Sequence, residues 1–526
     1  MNPTPERAAR AYGEHRAAFI AAVSAAYAIN VCGSGLSVID DAFITFRHAT
    51  NFAEHGQLVL NLGERVEGIT NLLWALVLAG VYRLFATPMA ETAVVLSLLA
   101  VPWALLRVYQ IGLRLTGKDA WGALAALLLA LNPHFILAST NGLETGLFCA
   151  LLAELCYRVV RQHYSACGVL IGLLFLTRPE GALLLVPLLL AVRLATGRSS
   201  RAWPAVAIAC AVVLGATAFR YLSYGQPLPN SIVAKSYPFA QTPELVLGGL
   251  KYCVGFAAVN GYLLLPLGAL LAYLARLKSA PSSSKALLGF CVTTLTLIWL
   301  VAMRNGGDWM PHHRLFLQYG PIWSLTAILV LSEAGWHARW AALLCLWPLA
   351  LLTNTVIGNR GHFFRIDTNA GGEFYAEATR RLKGQLRAED VVSAEAIGYI
   401  SFHLPSTRFH DPLGLNDAYI ARHGTPAIRF GKEDPVYTLA VVAPAVALWQ
   451  TGSHLWRVPR AVLGNYQIRR FGPDVGWHSN LVCLRKDRLP TLAQAFADWP
   501  IVDVTPTVPS FVVHLNASKV ADGAAR

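Results

Sequence analysis

The sequence predicts a polytopic α-helical membrane protein with one soluble α/β domain at its C-terminal end. Three observations lead there. Of 526 residues, 55% are hydrophobic and only 14% charged, where a soluble protein carries about a quarter charged residues. Apolar runs of helical length recur from about Ala17 to Asn354, and a spanning chain must satisfy its backbone internally, as helices do. After Arg360 charges become frequent and no run is long enough to span. The expected domains are therefore 1–359 in the membrane and 360–526 outside the bilayer.

The apolar segments lie near 17–39, 69–87, 92–112, 120–139, 143–160, 166–176, 181–195, 203–220, 246–277, 285–303, 313–332 and 338–356. Arg7, Arg10 and Arg16 before the first run imitate a signal peptide, but the many later runs favour an uncleaved first helix. The segment "ITNLLWALVLAGVYRLF" sets the parity of all that follows. If it crosses, the basic loops "RLTGK", "RVVRQHYS", "RLATGRSSR" and "ARLKSAPSSSK" all land outside, against the positive-inside rule. If it lies along the outer surface as an amphipathic helix, they all fall inside with the N-terminus. The second reading gives about eleven spans, a cytoplasmic N-terminus and an extracytoplasmic C-terminal domain.

The stretch from Ala166 to Leu194 is long for one span and short for two. At about 1.5 Å per residue, the arm before Thr177 covers well under the ~30 Å hydrocarbon core. "TRPEG" (Thr177 to Gly181) is expected to sit recessed in the membrane. Pro179 and Gly181 suit a helix break there. Arg178 and Glu180 need a wet cavity or each other.

In the C-terminal part "EFYAEATRRLKGQL" has helical spacing. "DVVSAEAIGYISF", "YTLAVVAPAVALW", "NLVCLRK" and "SFVVHLN" look like strands. GxGxxG and P-loop patterns are lacking, so nucleotide binding is not indicated. The net charge of +13 is accounted for by the positive-inside bias, and no basic-aromatic stripe points to nucleic acid. Nine cysteines include only Cys483 outside the apolar segments, and none form a CxxC pair. The soluble part therefore holds no internal disulfide and no cysteine metal site.

Several outward motifs carry residues able to do chemistry. "SVIDDAFITFRHATNFAEHG" sets Asp40 and Asp41 side by side at the mouth of the first span. One carboxylate can act as a general base while its neighbour tunes or orients it; the alternative is an ordinary helix cap. "GERVEGITNLLW" brings Glu67 and Asn71, four apart and so on one face if helical; they order the loop or hold substrate hydroxyls. In "NGLET", Asn141 and Glu144 face the cavity or form a capping box. "PNSIVAK" and "RNGGDWMPHHR" place Lys235, Arg304, Asp308, Trp309, His312 and Arg314 in outer loops. Cations there suit an anion such as a lipid-linked phosphate, or lipid headgroups. The adjacent His312 and His313 lack the spacing of a helical metal pair, so no metal site is assigned. In "RFHDPLGLND", Asp411 flanks a glycine turn, as turn chemistry or as lining of an acceptor path.

Taken in order, "DDAFITFRHATNFAEHGQLVLNLGERVEGITNLLW", "NGLET", "LTRPEG", "PLPNSIVAK", "GGDWMPHHR" and "DPLGLND" resemble bacterial membrane glycosyltransferases of the GT-C superfamily. They look most like the branch that transfers terminal β-1,2-arabinofuranose in mycobacterial cell walls. The resemblance extends to about Gly424. It implies a GT-C fold with membrane-parallel helices in the first outer loop. It also implies inverting transfer from a polyprenyl-monophosphate sugar to a cell-envelope glycan, glycolipid or protein acceptor, at the bacterial plasma membrane. No cofactor is required by this chemistry, and a divalent cation beside Asp40 and Asp41 is compatible with it. Asp40 or Asp41 would be the base, with Asp40 at the position usually given that role. Lys235, Arg304 and Arg314 are assigned as phosphate contacts; Glu67, Arg178, Glu180 and Asp308 match motif positions. His48 stands where the pattern has tyrosine. A lipid-linked-sugar flippase is the rival, but it would need polar residues along the whole path, and the acidic motifs here gather on one side.

Overall fold

The computed structural model describes residues 18–31, 36–236, 242–261, 282–308, 313–358, 366–367, 372–426, 431–450, 455, 457–472 and 480–502. Trp309, His312 and the "SFVVHLN" stretch lie outside the described residues. The chain forms two compact units. One comprises Met1–Leu58, Ile69–Leu228 and Tyr237–Ala370; the other comprises Val59–Gly68, Pro229–Ser236 and Gly371–Arg526.

The first unit is helical. In chain order it contains α1 (Ala18–Val31), α2 (Asp40–His55), α3 (Leu72–Phe85), α4 (Met89–Thr116) and α5 (Asp119–Ala130). Next come α6 (Pro133–Ser139), α7 (Thr145–Val160), α8 (Tyr164–Thr177), α9 (Leu185–Thr196) and α10 (Trp203–Tyr224). After a short helix α11 (Asn230–Ala234), which belongs to the second unit, the first resumes with α12 (Thr242–Asn260) and α13 (Ser282–Asn305). It ends with α14 (Arg314–Leu317), α15 (Gly320–Glu333) and α16 (Leu346–Gly358). Among the described residues the apolar segments read from the sequence are helical, the 120–139 segment as the pair α5 and α6, which meet at 66°; residues 262–277 of the 246–277 segment lie outside the described residues.

Among the described residues four helices are long and apolar enough to cross a membrane, or up to five if that bent pair is one span. α3 has 14 residues, about 21 Å of helix, too short to cross a hydrocarbon core upright. Asn132 starts α6: its side chain accepts from the Phe135 amide at 2.9 Å, and Pro133 follows as a first helical residue.

α8 stops where the sequence predicts a break. Arg178 is extended (φ −154°, ψ 134°), and a 3₁₀ turn Pro179–Leu184 leads into α9. Gly181 lies against the backbone of α8: a Cβ there would come within 2.5 Å of Phe175 N and 2.6 Å of Leu174 O. Glycine is therefore a packing requirement of "TRPEG".

The second unit is α/β. Its five-stranded sheet has the order β4-β3-β7-β9-β8, with β3 Val391–Ala394, β4 Arg408–His410, β7 Val446–Trp449, β8 Tyr466–Phe471 and β9 Asn480–Arg485. β3 pairs parallel with β4 and β7; β9 pairs antiparallel with β7 and β8. The two-residue strands β1 (Leu36–Ser37) and β2 (Ile366–Asp367) pair in the first unit, and β5 (Thr425–Pro426) pairs with β6 (Lys432–Glu433) in the second. A buried pair stiffens the second unit: Arg488 Nε donates to Asp390 Oδ1 at 2.8 Å, with both side chains almost fully shielded.

Two strand expectations are corrected in part. "DVVSAEAIGYISF" is strand only to Ala394, then helix from Ile397 to His403, because Ile397, Ile400 and Leu404 recur at helical spacing and are buried. "YTLAVVAPAVALW" is a π-helix over Tyr437–Val442 before β7 begins.

Two connecting stretches, Val59–Gly68 and Pro229–Ser236, are built into this second unit. Asn61 Nδ2 donates to the Phe409 carbonyl at 2.7 Å, and its Oδ1 accepts from the Phe409 amide at 2.9 Å. Arg408 Nε donates to Glu64 at 2.8 Å. The Asn230 amide donates to the Glu67 carbonyl at 2.9 Å, and a Cβ on Gly68 would run into the Asn416 carboxamide.

Candidate active site

Asp40 and Asp41 occupy the first turn of α2, where the exposed N–H groups of a helix favour negative charge. Neither is the cap. That position is Ile39, which makes no side-chain cap bond. Instead the Ile39 amide donates to the Asn141 carbonyl at 3.1 Å. The "NGLET" turn thus sits against the base of α2. Its Gly142 (φ 88°) has no room for a side chain, since a Cβ would meet Val38 Cγ1 at 2.8 Å and Ala42 Cβ at 2.9 Å.

The same turn does not form a capping box. Asn141 Oδ1 accepts from the Leu143 amide at 3.1 Å, and Glu144 precedes α7 without any side-chain cap bond. The Glu144 carboxylate is buried and turns toward two other motifs. One oxygen accepts from Arg178 Nη1 at 2.8 Å, the other from Asn71 Nδ2 at 2.8 Å. Asn71 Nδ2 also donates to Thr45 Oγ1 at 3.1 Å, and Arg178 Nη2 donates to Glu180 at 3.3 Å. Trp74 locks α3 onto the turn through Nε1 to the Gly142 carbonyl at 3.0 Å. Four separated stretches of sequence therefore meet in one buried polar network.

Asp308 and Arg314 form a second pair at 3.5 Å, both largely shielded. Arg314 is near enough to act on the charge of Glu144, and Asp308 on that of Arg178. Arg304 lies in the last turn of α13 and is exposed. His48 is fully buried, with Nδ1 bonded to the Ile44 carbonyl at 2.8 Å. Among the described residues no group of three or more His, Cys, Asp or Glu could hold a metal ion.

Glu67, Lys235 and Asp411 belong to the second unit. Glu67 is buried, Lys235 exposed. Asp411 closes a turn, accepting from the amides of Leu413 at 3.0 Å and Asn416 at 2.8 Å and from the Asn416 carboxamide at 3.0 Å. Burial raises the Asp411 carboxyl above its ordinary value against these three donors. Asn230 gathers the same turn: its Nδ2 donates to the carbonyls of Gly414, Leu415 and Asp417 at 2.9, 3.1 and 3.2 Å.

Thr45 and Tyr319 join the site without having been singled out by sequence. Thr45 follows Asp41 by four residues, so the helical period marks it. Tyr319 is hidden in the apolar stretch "RLFLQYGP". Its hydroxyl is fully buried within reach of the charges of Glu180 and Arg178, and it makes no hydrogen bond among the described residues.

The helical unit, broken at "TRPEG" and joined in one chain to a mixed-sheet unit, has a known counterpart. The chain superposes on ArnT from Cupriavidus metallidurans in a crystal structure bound to undecaprenyl phosphate, with a TM-score of 0.52 and 12% identity, over 90% of this chain and 98% of that one. The apo structure of the same protein gives a TM-score of 0.51 at 13% identity over the same shares. The two proteins thus share a fold. In sequence, the chain is 28% identical over 338 residues to the terminal β-(1→2)-arabinofuranosyltransferase of Mycobacterium tuberculosis, covering 55% of this chain and 51% of that protein. The chain thus spans about half the length of that curated relative. Residues 366–503 match a domain of unknown function, DUF8728.

Proposed function

We propose that the protein is an inverting glycosyltransferase. It would move a sugar, arabinofuranose by its nearest motif resemblance, from a polyprenyl-monophosphate donor to a cell-envelope acceptor at the outer face of the plasma membrane. The observation that carries this reading is the buried network Thr45–Asn71–Glu144–Arg178–Glu180, which ties the helix headed by Asp40 and Asp41 to the "TRPEG" break. Likeness to a protein crystallised with undecaprenyl phosphate and to an arabinofuranosyltransferase supports the same reading. The domains are read as 1–359 and 360–526, with about eleven spans, α3 along the outer surface and the C-terminal domain outside.

The chemistry needs a base, an anomeric carbon and an anionic leaving group. A carboxylate of the Asp40–Asp41 pair takes the proton of an acceptor hydroxyl. That oxygen attacks the anomeric carbon, the bond from carbon to phosphate oxygen breaks, and its electron pair leaves with the polyprenyl phosphate. Configuration inverts because one displacement occurs. Helix phase separates the two acids. At about 100° per residue Asp41 lies about 40° from Thr45, and Asp40 about 140° from it. Asp41 therefore shares the face of the Asn71–Glu144 network and serves to orient, leaving Asp40 as the base. Cations of the outer loops, Lys235, Arg304 and Arg314, would stabilise the departing phosphate. Trp309 and His312 complete the substrate-binding loop in this reading, and Asp411 shapes the acceptor side.

The experiment is transfer by purified protein from a radiolabelled polyprenyl-phosphate sugar to an envelope acceptor. Asp40→Asn is expected to lower turnover by about 10²–10⁴, the usual weight of general base catalysis. Near-normal transfer in both Asp40→Asn and Asp41→Asn, with folding intact, would sink the assignment. Movement of the lipid across a vesicle without transfer would favour a flippase.

A further inference from the structure

The helical unit holds buried polar atoms to which the fold gives no partner, and three of them fall together. Arg178 Nε, Glu180 Oε2 and the Tyr319 hydroxyl are each shut off from solvent and make no hydrogen bond among the described residues. A buried polar atom without a partner forfeits the hydrogen bond it had with water, so folded proteins keep few of them. Phenylalanine at 319 would fill the same space without that cost. The ring is held by packing: it is fully shielded and stands edge-on to Phe148, with centroids 5.3 Å apart and planes at 72°. That packing uses the ring and leaves the hydroxyl over.

Two separate elements bring these atoms to one place. Arg178 and Glu180 are set by the break after α8, where the 3₁₀ turn Pro179–Leu184 begins. Tyr319 stands immediately before α15. Arg178 Nη2 donates to Glu180 Oε1 at 3.3 Å, a long contact that leaves Oε2 unused. Tyr319 lies within reach of the charges of both residues. The Glu180 and Arg178 side chains keep 21% and 12% of their exposure. The place is therefore approached from the side of this pair, with Tyr319 behind it.

Donors and acceptors decide what fits. Arg178 Nε only gives a hydrogen bond, an ionised Glu180 only accepts one, and a tyrosine hydroxyl does either. An alcohol oxygen accepts from Arg178 and Tyr319 and gives its proton to Glu180, so all three atoms are satisfied at once. A phosphate oxygen fits badly. Arg178 is already bonded to Glu144 and Glu180 and is acted on by Asp308, so an anion would meet three carboxylates around one guanidinium. A hard cation would find one spare carboxylate oxygen beside an arginine, far short of the ligands it needs. We propose that Arg178, Glu180 and Tyr319 bind one hydroxyl of the donor sugar, and that Tyr319 makes the enzyme selective for it. This rests on the transferase reading above, and it gives these residues to the sugar rather than to its phosphate. A site built around a substrate hydroxyl discriminates against the analogue lacking it, because the polar groups are then left unpaired.

The test is transfer by the full chain in detergent from polyprenyl-phosphate arabinofuranose and from its singly deoxygenated forms, with kcat and KM measured for each. The variant is Tyr319→Phe, which removes one oxygen and keeps the ring. On the intact donor its kcat/KM should fall about tenfold, the weight of one hydrogen bond. On the one donor that lacks the bound hydroxyl, the variant and the unmodified protein should agree within about twofold, and on the others the tenfold gap should persist. The melting temperature of the donor-free variant should rise by about 1–2 °C, because an unpartnered group is gone. A gap below about twofold on the intact donor overturns the site. So does a tenfold gap on every donor; a lower melting temperature beside it would put an internal water where the sugar hydroxyl was placed. In both of these cases transfer by the unmodified chain leaves the transferase reading standing. No transfer by the unmodified chain overturns that reading, and the sugar site with it.

Discussion

Glu144 and Arg178 form a buried pair at 2.8 Å, and the second oxygen of Glu144 is taken by Asn71. The side chains retain only 4% and 12% of their exposure, so removing either partner strands a charge where water does not reach it. Glu144→Ala is expected to lower stability by about 3–5 kcal/mol. Glu144→Gln should cost less, because its oxygen still accepts from one donor. Unfolding in detergent followed by a thermal-shift dye measures both. In a double-mutant cycle, Glu144→Ala with Arg178→Ala should be well short of additive.

Gly181 offers a steric prediction with an internal control. A methyl group there meets the α8 backbone, which cannot rotate aside, so Gly181→Ala should open the "TRPEG" hairpin. A loss above about 2 kcal/mol is expected, and transfer should fall with it because Arg178 moves. Gly215, inside α10, has nothing within 4 Å of its built Cβ. Gly215→Ala should be neutral or stabilising by up to about 1 kcal/mol. Equal behaviour of the two variants in thermal unfolding would contradict the packing described.

What was legible in the sequence follows from the range of the interactions involved. Apolar runs became helices because burial in lipid or core needs only local pattern, and the stop at Arg178 was readable because Pro179 and Gly181 act locally. Thr45 was missed, although its spacing of four from Asp41 carried the signal. The capture of 59–68 and 229–236 by the α/β unit was not legible. It depends on the carboxamides of Asn61 and Asn230 meeting main-chain groups at Phe409, Gly414 and Leu415, and any backbone offers the same partners. The π-helix at Tyr437 was hidden for another reason: β-branched and aromatic residues there satisfy the strand pattern equally well.

Asn230 should matter through its donors rather than its size. Its carboxamide nitrogen feeds three carbonyls, and an aspartate of equal volume would set a carboxylate against them. Asn230→Asp is therefore expected to be worse than Asn230→Ala, which loses hydrogen bonds worth about 1–3 kcal/mol. Limited proteolysis should show faster cutting near Gly414 in both variants, fastest in Asn230→Asp. If Asn230→Asp resists protease as the unmodified chain does, the carboxamide is not what holds the turn.

Asp417 gives the α/β unit a measurable acid sensitivity. Burial by itself would raise its carboxyl, but the hydrogen bond from His410, the Ile420 amide and the charge of His410 outweigh it, and the net shift is downward. The group thus binds its proton less readily folded than unfolded. Its stabilisation is complete above the ordinary aspartate value near 3.8 and disappears as pH falls through the lower folded value. Asp417→Asn keeps an oxygen to cap the Ile420 amide, at present 2.8 Å away, but has no proton to take up. As pH falls below about 4 the unmodified unit should lose stability more steeply than the variant. Near-UV circular dichroism of the unfolding transition across that range reads the difference. Parallel slopes for the two proteins would mean that Asp417 is not held below its ordinary value.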